Sequence, residues 1–190
     1  MNSRLLFAVL TATLLAGTSA QAQGWDVSVM GGPTWSPHIE VGGLTQGMDT
    51  GYNLGGRLEY NLDDWLGTRG FSLAGDVFYN DSHFNAAPGH LSSLSFMGDV
   101  IYHLDTNLPF GIYGGAGVGA VRTAIRSPGV DDSGTVLGWQ ALGGLDYPVS
   151  DNATMFAEYR YQNAHDADVG TIHGVGNTSN NLSVGVKFAL

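Results

Sequence analysis

The 190-residue chain has no cysteine, so disulfide frameworks, thiolate metal sites and thiol nucleophiles are excluded. It is poor in charge: charged residues make up 13%, against about a quarter in an ordinary soluble domain. The positive side is poorer still, with 7 Lys and Arg against 17 Asp and Glu and a formal net charge of −10. Such a surface repels a polyanion, so nucleic acid is excluded as a partner. No apolar stretch is long enough for a comfortable transmembrane helix; the best, from Leu5 to Gly17, has about a dozen apolar residues where about 20 are needed. Disorder is also excluded, because 8 Tyr, 8 Phe and 4 Trp accompany a hydrophobic fraction of 43%. The 29 glycines have no three-residue period, which rules out collagen.

The apolar stretch does have a meaning. It follows a short basic start with Arg4 and precedes Ala20-Gln21-Ala22, a small-x-small cleavage pattern. Residues 1–22 are therefore expected to be a cleavable signal peptide, and 23–190 the mature domain. The alternative is an N-terminal core helix.

The mature part alternates with period two, the mark of strands whose faces meet different surroundings. Leu182, Val184, Val186 and Phe188 oppose Ser183, Gly185 and Lys187. Met155, Ala157, Tyr159 and Tyr161 oppose Thr154, Phe156, Glu158, Arg160 and Gln162. Similar runs centre on Val27, Gly56, Gly75, Gly98, Gly114 and Ala141. That makes eight candidate strands of about 8–12 residues and no convincing helix; a tilted membrane-crossing strand needs about 9–11. Short connections near 61–69, 105–109 and 148–153 alternate with longer ones near 33–50, 80–91, 123–134 and 163–180. Short turns on one side and long loops on the other fit an all-β, eight-stranded antiparallel up-and-down transmembrane β-barrel. An even strand count puts both termini on one side.

The two faces differ in chemistry. Asp26, Arg57, Glu59, Asp76, Asp99, Asp146, Glu158, Arg160 and Lys187 share one set of faces, and the opposite faces carry no formal charge. A soluble sandwich would bury the apolar set, so the aromatics must decide. With alternate strands reversed, Trp25, Tyr60, Phe71, Tyr102, Phe110, Tyr147 and Phe188 fall at one end of the apolar face. Tyr52, Tyr79, Trp139 and Tyr161 fall at the other. Two aromatic rings separated by aliphatic residues are expected where a barrel crosses two membrane interfaces.

In this setting Gly138-Trp139-Gln140-Ala141-Leu142-Gly143-Gly144-Leu145-Asp146-Tyr147 and Ala157-Glu158-Tyr159-Arg160-Tyr161 resemble the small opacity-protein/OmpA-like outer-membrane β-barrel family. The run from Phe110 to Gly119 is similar to its glycine-rich fifth strand, and Val186-Lys187-Phe188 to the signal read by the barrel-assembly machinery. The family usually closes on an aromatic residue; this chain closes on Ala189-Leu190. The resemblance covers nearly all of 23–190 and is most specific in 110–161. It implies a porin-like or surface-antigen barrel in the outer membrane of a Gram-negative bacterium, in contact with lipid and lipopolysaccharide. It implies no cofactor and no single activity. No peptidoglycan-binding domain is expected after residue 190.

Candidate sites follow from the faces. Arg57, Glu59, Asp76, Asp99, Glu158 and Arg160 are expected in the lumen, where they form either a charged ion path or an ion-paired plug. An eight-stranded barrel is just wide enough for side chains to fill, which favours the plug, with each arginine touching at least one of the four carboxylates. His165, Asp166, Asp168 and His173, with Asp131 and Asp132 one loop earlier, invite a divalent-cation reading, but the spacing matches no known cage and a solvated acidic loop is expected. His83, His90 and Ser92 invite a lipid A acyl-hydrolase reading. The His-x-Ser sequence of such enzymes is missing after Tyr161, where Gln162-Asn163-Ala164-His165 stands. The Gly-x-Gly at Gly115-Ala116-Gly117 lies inside a strand and precedes no helix, so it is no phosphate loop. The expected role is a non-enzymatic barrel that displays four loops for envelope integrity, surface interaction or adhesion to an extracellular ligand. A narrow porin-like channel and a lipid A-modifying hydrolase are the alternatives.

Overall fold

A computed structural model describes residues 24–35, 39–41, 44–46, 49–67, 69–83, 90–127, 130–169 and 172–190. The expected signal peptide lies outside these residues. Eight long strands form the body: β1 (Trp25–Trp35), β4 (Gly51–Asn61), β5 (Phe71–His83), β6 (His90–Leu104), β7 (Gly111–Ser127), β8 (Val130–Ser150), β9 (Ala153–Val169) and β10 (Ile172–Ala189). Each pairs antiparallel with the next, and β10 returns to β1 through Asp26↔Ala189 to Trp35↔Asn180, closing an eight-stranded barrel. Closure removes both sheet edges, so the backbone groups along the ladder find partners within the barrel. Two three-residue strands, β2 (Ile39–Val41) and β3 (Leu44–Gln46), pair with each other, and β2 touches β10 at Gly176↔Glu40.

The strands run further than the alternation predicts. The connections expected at 123–134 and 163–180 are mostly ladder: β7 and β8 pair out to Ser127↔Val130, and β9 and β10 out to Ile172↔Val169. The reason is chemical. Where water bathes both faces, a strand has no hydrophobic contrast, yet its backbone still pairs. The connection near 61–69 holds one helical turn, α1 (Asp63–Leu66), closed by Gly67 at φ 61°. A sequence without helical periodicity gives no sign of so short an element.

The alternation sets the direction of each side chain. Leu54, Val77, Phe96, Val118, Leu137 and Val184 point outward and are exposed. Their strand neighbours point inward. Met30, Ala74, Phe78, Ile101, Tyr113, Leu142 and Phe156 form a buried cluster in the lumen, and Met97, Val121 and Ala164 form a second. Inward glycines make room for the large rings. A Cβ at Gly55 would run into the Phe78 ring, and one at Gly144 into the Tyr113 ring.

The outward aromatics meet in cross-strand pairs. At the end that holds the termini, Trp25 lies 4.8 Å from Tyr60 and Phe71 4.8 Å from Tyr102, centroid to centroid. Phe188 and Tyr147 are exposed at that end, and Phe110 stands just before β7. At the other end Trp139 lies 5.4 Å from Tyr161, and Tyr52 6.3 Å from Tyr79.

Outward Val77 and inward Ala74 test this assignment of faces. Val77→Arg is expected to cost about 2–4 kcal/mol when the barrel is unfolded by denaturant from lipid vesicles. Ala74→Ser is expected to cost far less. Equal costs would count against the assignment.

Candidate functional site

The lumen is crossed at mid-height by a ring of four charges. Arg57 of β4 stands opposite Asp76 of β5 in the register, and the two meet in a fork: Nε donates to Oδ1 at 2.8 Å and Nη2 to Oδ2 at 3.0 Å. Arg57 Nη1 also reaches Glu158 Oε2 of β9 at 2.9 Å. Arg160, two residues on, uses one nitrogen for both carboxylates: Nη2 lies 2.6 Å from Asp76 Oδ2 and 2.7 Å from Glu158 Oε1. Each arginine thus touches the same two carboxylates. Bidentate charge-assisted bonds of this kind are short and orient both partners.

Neutral groups hold the ring in place. Tyr113 of β7 donates its hydroxyl to Glu158 Oε2 at 3.1 Å. Gln140 of β8 accepts from Arg160 Nη1 at 3.4 Å and from Gln162 at 3.3 Å. The Arg160 guanidinium also lies 4.1 Å above the Phe78 ring centre, a cation–π contact. Arg160 and Glu158 are each 1% exposed. Buried charges at that depth are tolerated only when paired and hydrogen-bonded, as these are.

The two other carboxylates of the predicted set stand apart from the ring. Asp99 accepts from Gln140 Nε2 at 2.6 Å through Oδ1, while its buried Oδ2 has no hydrogen-bond partner. Glu59 turns toward the end that holds the termini and meets His103 Nε2 at 2.7 Å. There His103 Nδ1 lies 3.9 Å from Asp146, and Lys187 lies 4.0 Å from the same carboxylate. The space left between the two groups, lined by Ser28, Arg57, Glu59, His103 and Tyr113, is about 10 Å³. That is room for no more than about one water.

Sequence reasoning did not single out Tyr113, Gln140, Phe78 or His103 as parts of this arrangement. Their only signal was parity: all four fall on the faces that carry the charges. Nothing in the chain marks Tyr113 as a contact of a residue 45 positions away, or Phe78 as a contact of Arg160.

The remaining candidates lie away from the ring. The side chains of Asp131, Asp132, His165, Asp166, Asp168 and His173 lie outside the described residues. Ser92 stands opposite Asp81, and His83 opposite His90, on the outer face of β5 and β6. Among the described residues no hydrogen bond joins Ser92 to either imidazole, so the pair a serine hydrolase needs is not assembled.

The profile of the outer membrane protein beta-barrel domain matches residues 6–188. A 22 kDa outer membrane protein of Rhizobium leguminosarum bv. viciae is 30% identical over 164 residues, which cover 73% of this chain and 77% of the relative. Among solved structures, Neisserial surface protein A superposes with a TM-score of 0.65 at 24% identity, covering 88% of this chain and 97% of that one. OprG from Pseudomonas aeruginosa does so with 0.53 at 16%, covering 88% and 97%. These two likenesses speak for the fold.

The ring makes a specific prediction. Arg160→Ala leaves Asp76 and Glu158 buried with half their partners and is expected to destabilise the barrel by about 3–5 kcal/mol in denaturant titration. Replacing Arg160, Asp76, Glu158 and Arg57 together by apolar residues of similar size is expected to cost much less. If the single substitution is neutral, the ring is not what fills the lumen.

Proposed function

Because this chain belongs to the outer-membrane protein β-barrel family, and so resides in the outer membrane, we propose that it is a closed barrel whose work is done on its surface. Its lumen is a plug and not a path. The Arg57–Asp76–Arg160–Glu158 ring carries this reading: four interlocked charges, each arginine on both carboxylates, with space for about one water beneath them. An ion path needs groups that bind and release; these groups are already satisfied by one another.

The rest of the role follows from that rigidity. The outward aromatics seat the wall at the two interfaces, among outer-membrane lipid and lipopolysaccharide. Residues 1–22 direct export, and the closing strand is the segment met by the barrel-assembly machinery. The loops opposite the termini are held on a stiff scaffold and serve envelope integrity or adhesion to an extracellular ligand. The protein acts without catalysis, a reading supported by the lack, among the described residues, of a hydrogen bond between Ser92 and either His83 or His90.

Single-channel recording in planar bilayers tests the plug against the porin-like alternative. The unaltered barrel is expected to show no conductance steps. The Arg57→Ala/Arg160→Ala double variant, once refolded, is expected to show small cation-favouring steps, because Asp76 and Glu158 then line an emptier lumen. Regular steps from the unaltered protein would overturn the plug.

A further inference from the structure

Where β6, β7 and β8 reach the upper edge of the apolar wall, the outer face carries a cation that the plug does not use. Arg122 of β7 pairs with Leu94 of β6 and Thr135 of β8, so the three side chains share the outward face. Through Leu94 it stands in one row with Tyr79, a member of the outer aromatic pairs. It lies four residues beyond Val118, whose partner in the ladder is Trp139 of the same girdle. Interfacial aromatics mark headgroup depth, so the guanidinium belongs to the headgroup layer. It is exposed, and its Nη2 donates to Ser133 Oγ at 3.2 Å, a neutral partner. Among the described residues no carboxylate forms an ion pair with it. Asp81, on the same face of β5, is engaged elsewhere: Oδ2 accepts from Tyr79 Oη at 3.1 Å, and Oδ1 lies 4.0 Å from His83 Nδ1. Hydroxyl groups flank the arginine. Thr135 is directly opposite, and Ser92 and Ser133 occupy the next outward row, on either side of Ala124. Just below, Phe96, Val118 and Leu137 are 54%, 69% and 75% exposed.

We propose that Arg122, with Ser92, Ser133 and Thr135, binds the phosphate of a phosphorylated glycolipid in the outer leaflet, whose acyl chains lie against Phe96, Val118 and Leu137. This rests on the barrel's place in the outer membrane and names the lipid that one stretch of its wall selects. A guanidinium offers a planar fork of donors that matches phosphate oxygens in pairs, and it keeps its charge at any physiological pH. The bond to Ser133 engages one of five such donors. Hydroxyls both donate and accept, which suits sugar hydroxyls and phosphate oxygens alike. The apolar surface below decides the source of the phosphate. A free anion gains nothing from Val118 and Leu137, whereas a lipid spans both parts, with its headgroup on the cation and its hydrocarbon on the wall.

The test uses the mature barrel folded in micelles of uncharged detergent and titrated with bisphosphorylated lipid A. Arginine Nε–Hε resonances are followed by NMR and the complex by native mass spectrometry. One lipid per barrel is expected, with the Arg122 signal moving. Arg122→Ala is expected to weaken binding about tenfold or more. Lipid A stripped of both phosphates is expected to bind the parent as weakly as it binds Arg122→Ala, which assigns the loss to the guanidinium–phosphate contact. Arg69→Ala, at the end that holds the termini, is expected to bind as the parent does, and millimolar inorganic phosphate is expected to leave the complex intact. Folding is checked by heat-modifiable migration on gels, and Arg122→Gln replaces the alanine variant if that fails. Because Arg122 is no part of the lumen ring, its variant is expected to stay silent in planar bilayers, so loss of lipid binding and failure of the plug are read separately. Undiminished binding by Arg122→Ala, an equal loss in Arg69→Ala, or displacement of the lipid by inorganic phosphate would overturn the proposal.

Discussion

A ribbon of chain that crosses hydrocarbon cannot leave a backbone N–H or C=O without a partner, and this constraint governs the molecule. β10 must find β1, because an open edge in lipid would cost several kcal/mol per unpaired group. The ladder from Asp26↔Ala189 to Trp35↔Asn180 meets that need. Once the sheet is closed, the two faces of each strand acquire opposite surroundings. Apolar side chains such as Leu54 and Val184 go to the lipid side, and the charges at mid-height, Arg57, Asp76, Glu158 and Arg160, must be accommodated in a narrow interior.

The interior solves a second electrostatic problem. Charges taken from water are costly, and eight strands leave little space for water to follow them. Two guanidinium groups between two carboxylates neutralise one another, with Tyr113 and Gln140 taking up remaining lone pairs and donors. Below the ring, Glu59, His103, Asp146 and Lys187 form a looser, wetter group near the mouth. Phe78 and Ile101 fill what the polar groups leave. The sheet determines which residues face inward, and their charges determine which of them must meet.

Much of the architecture was legible in the chain because period two is a strong signal wherever one face is lipid and the other is not. The strand from Leu182 to Phe188 could be read this way; the stretch from Asp131 to Thr135 could not, being polar on both faces. Parity placed nine charges on one side, but parity says nothing about partners around a closed wall. Arg57 and Glu158 are 101 residues apart and meet only because the barrel brings β4 and β9 across the lumen from each other. Equally, nothing in sequence separates Asp76, which sits between two arginines, from Asp99, which meets only an amide. That distinction arises from height along tilted strands.

The unequal strand lengths give the barrel a lopsided outer rim. β1 and β4 have 11 residues each, whereas β8 has 21 and β7 and β9 have 17. From Trp139 to Val130 the eighth strand climbs about 30 Å at roughly 3.3 Å per residue, and somewhat less in height because it leans. Among the described residues, the side formed by β7 to β9 therefore rises like a parapet beyond the ends of β1 and β4, and β2 from the β1–β4 connection leans against β10 at Gly176.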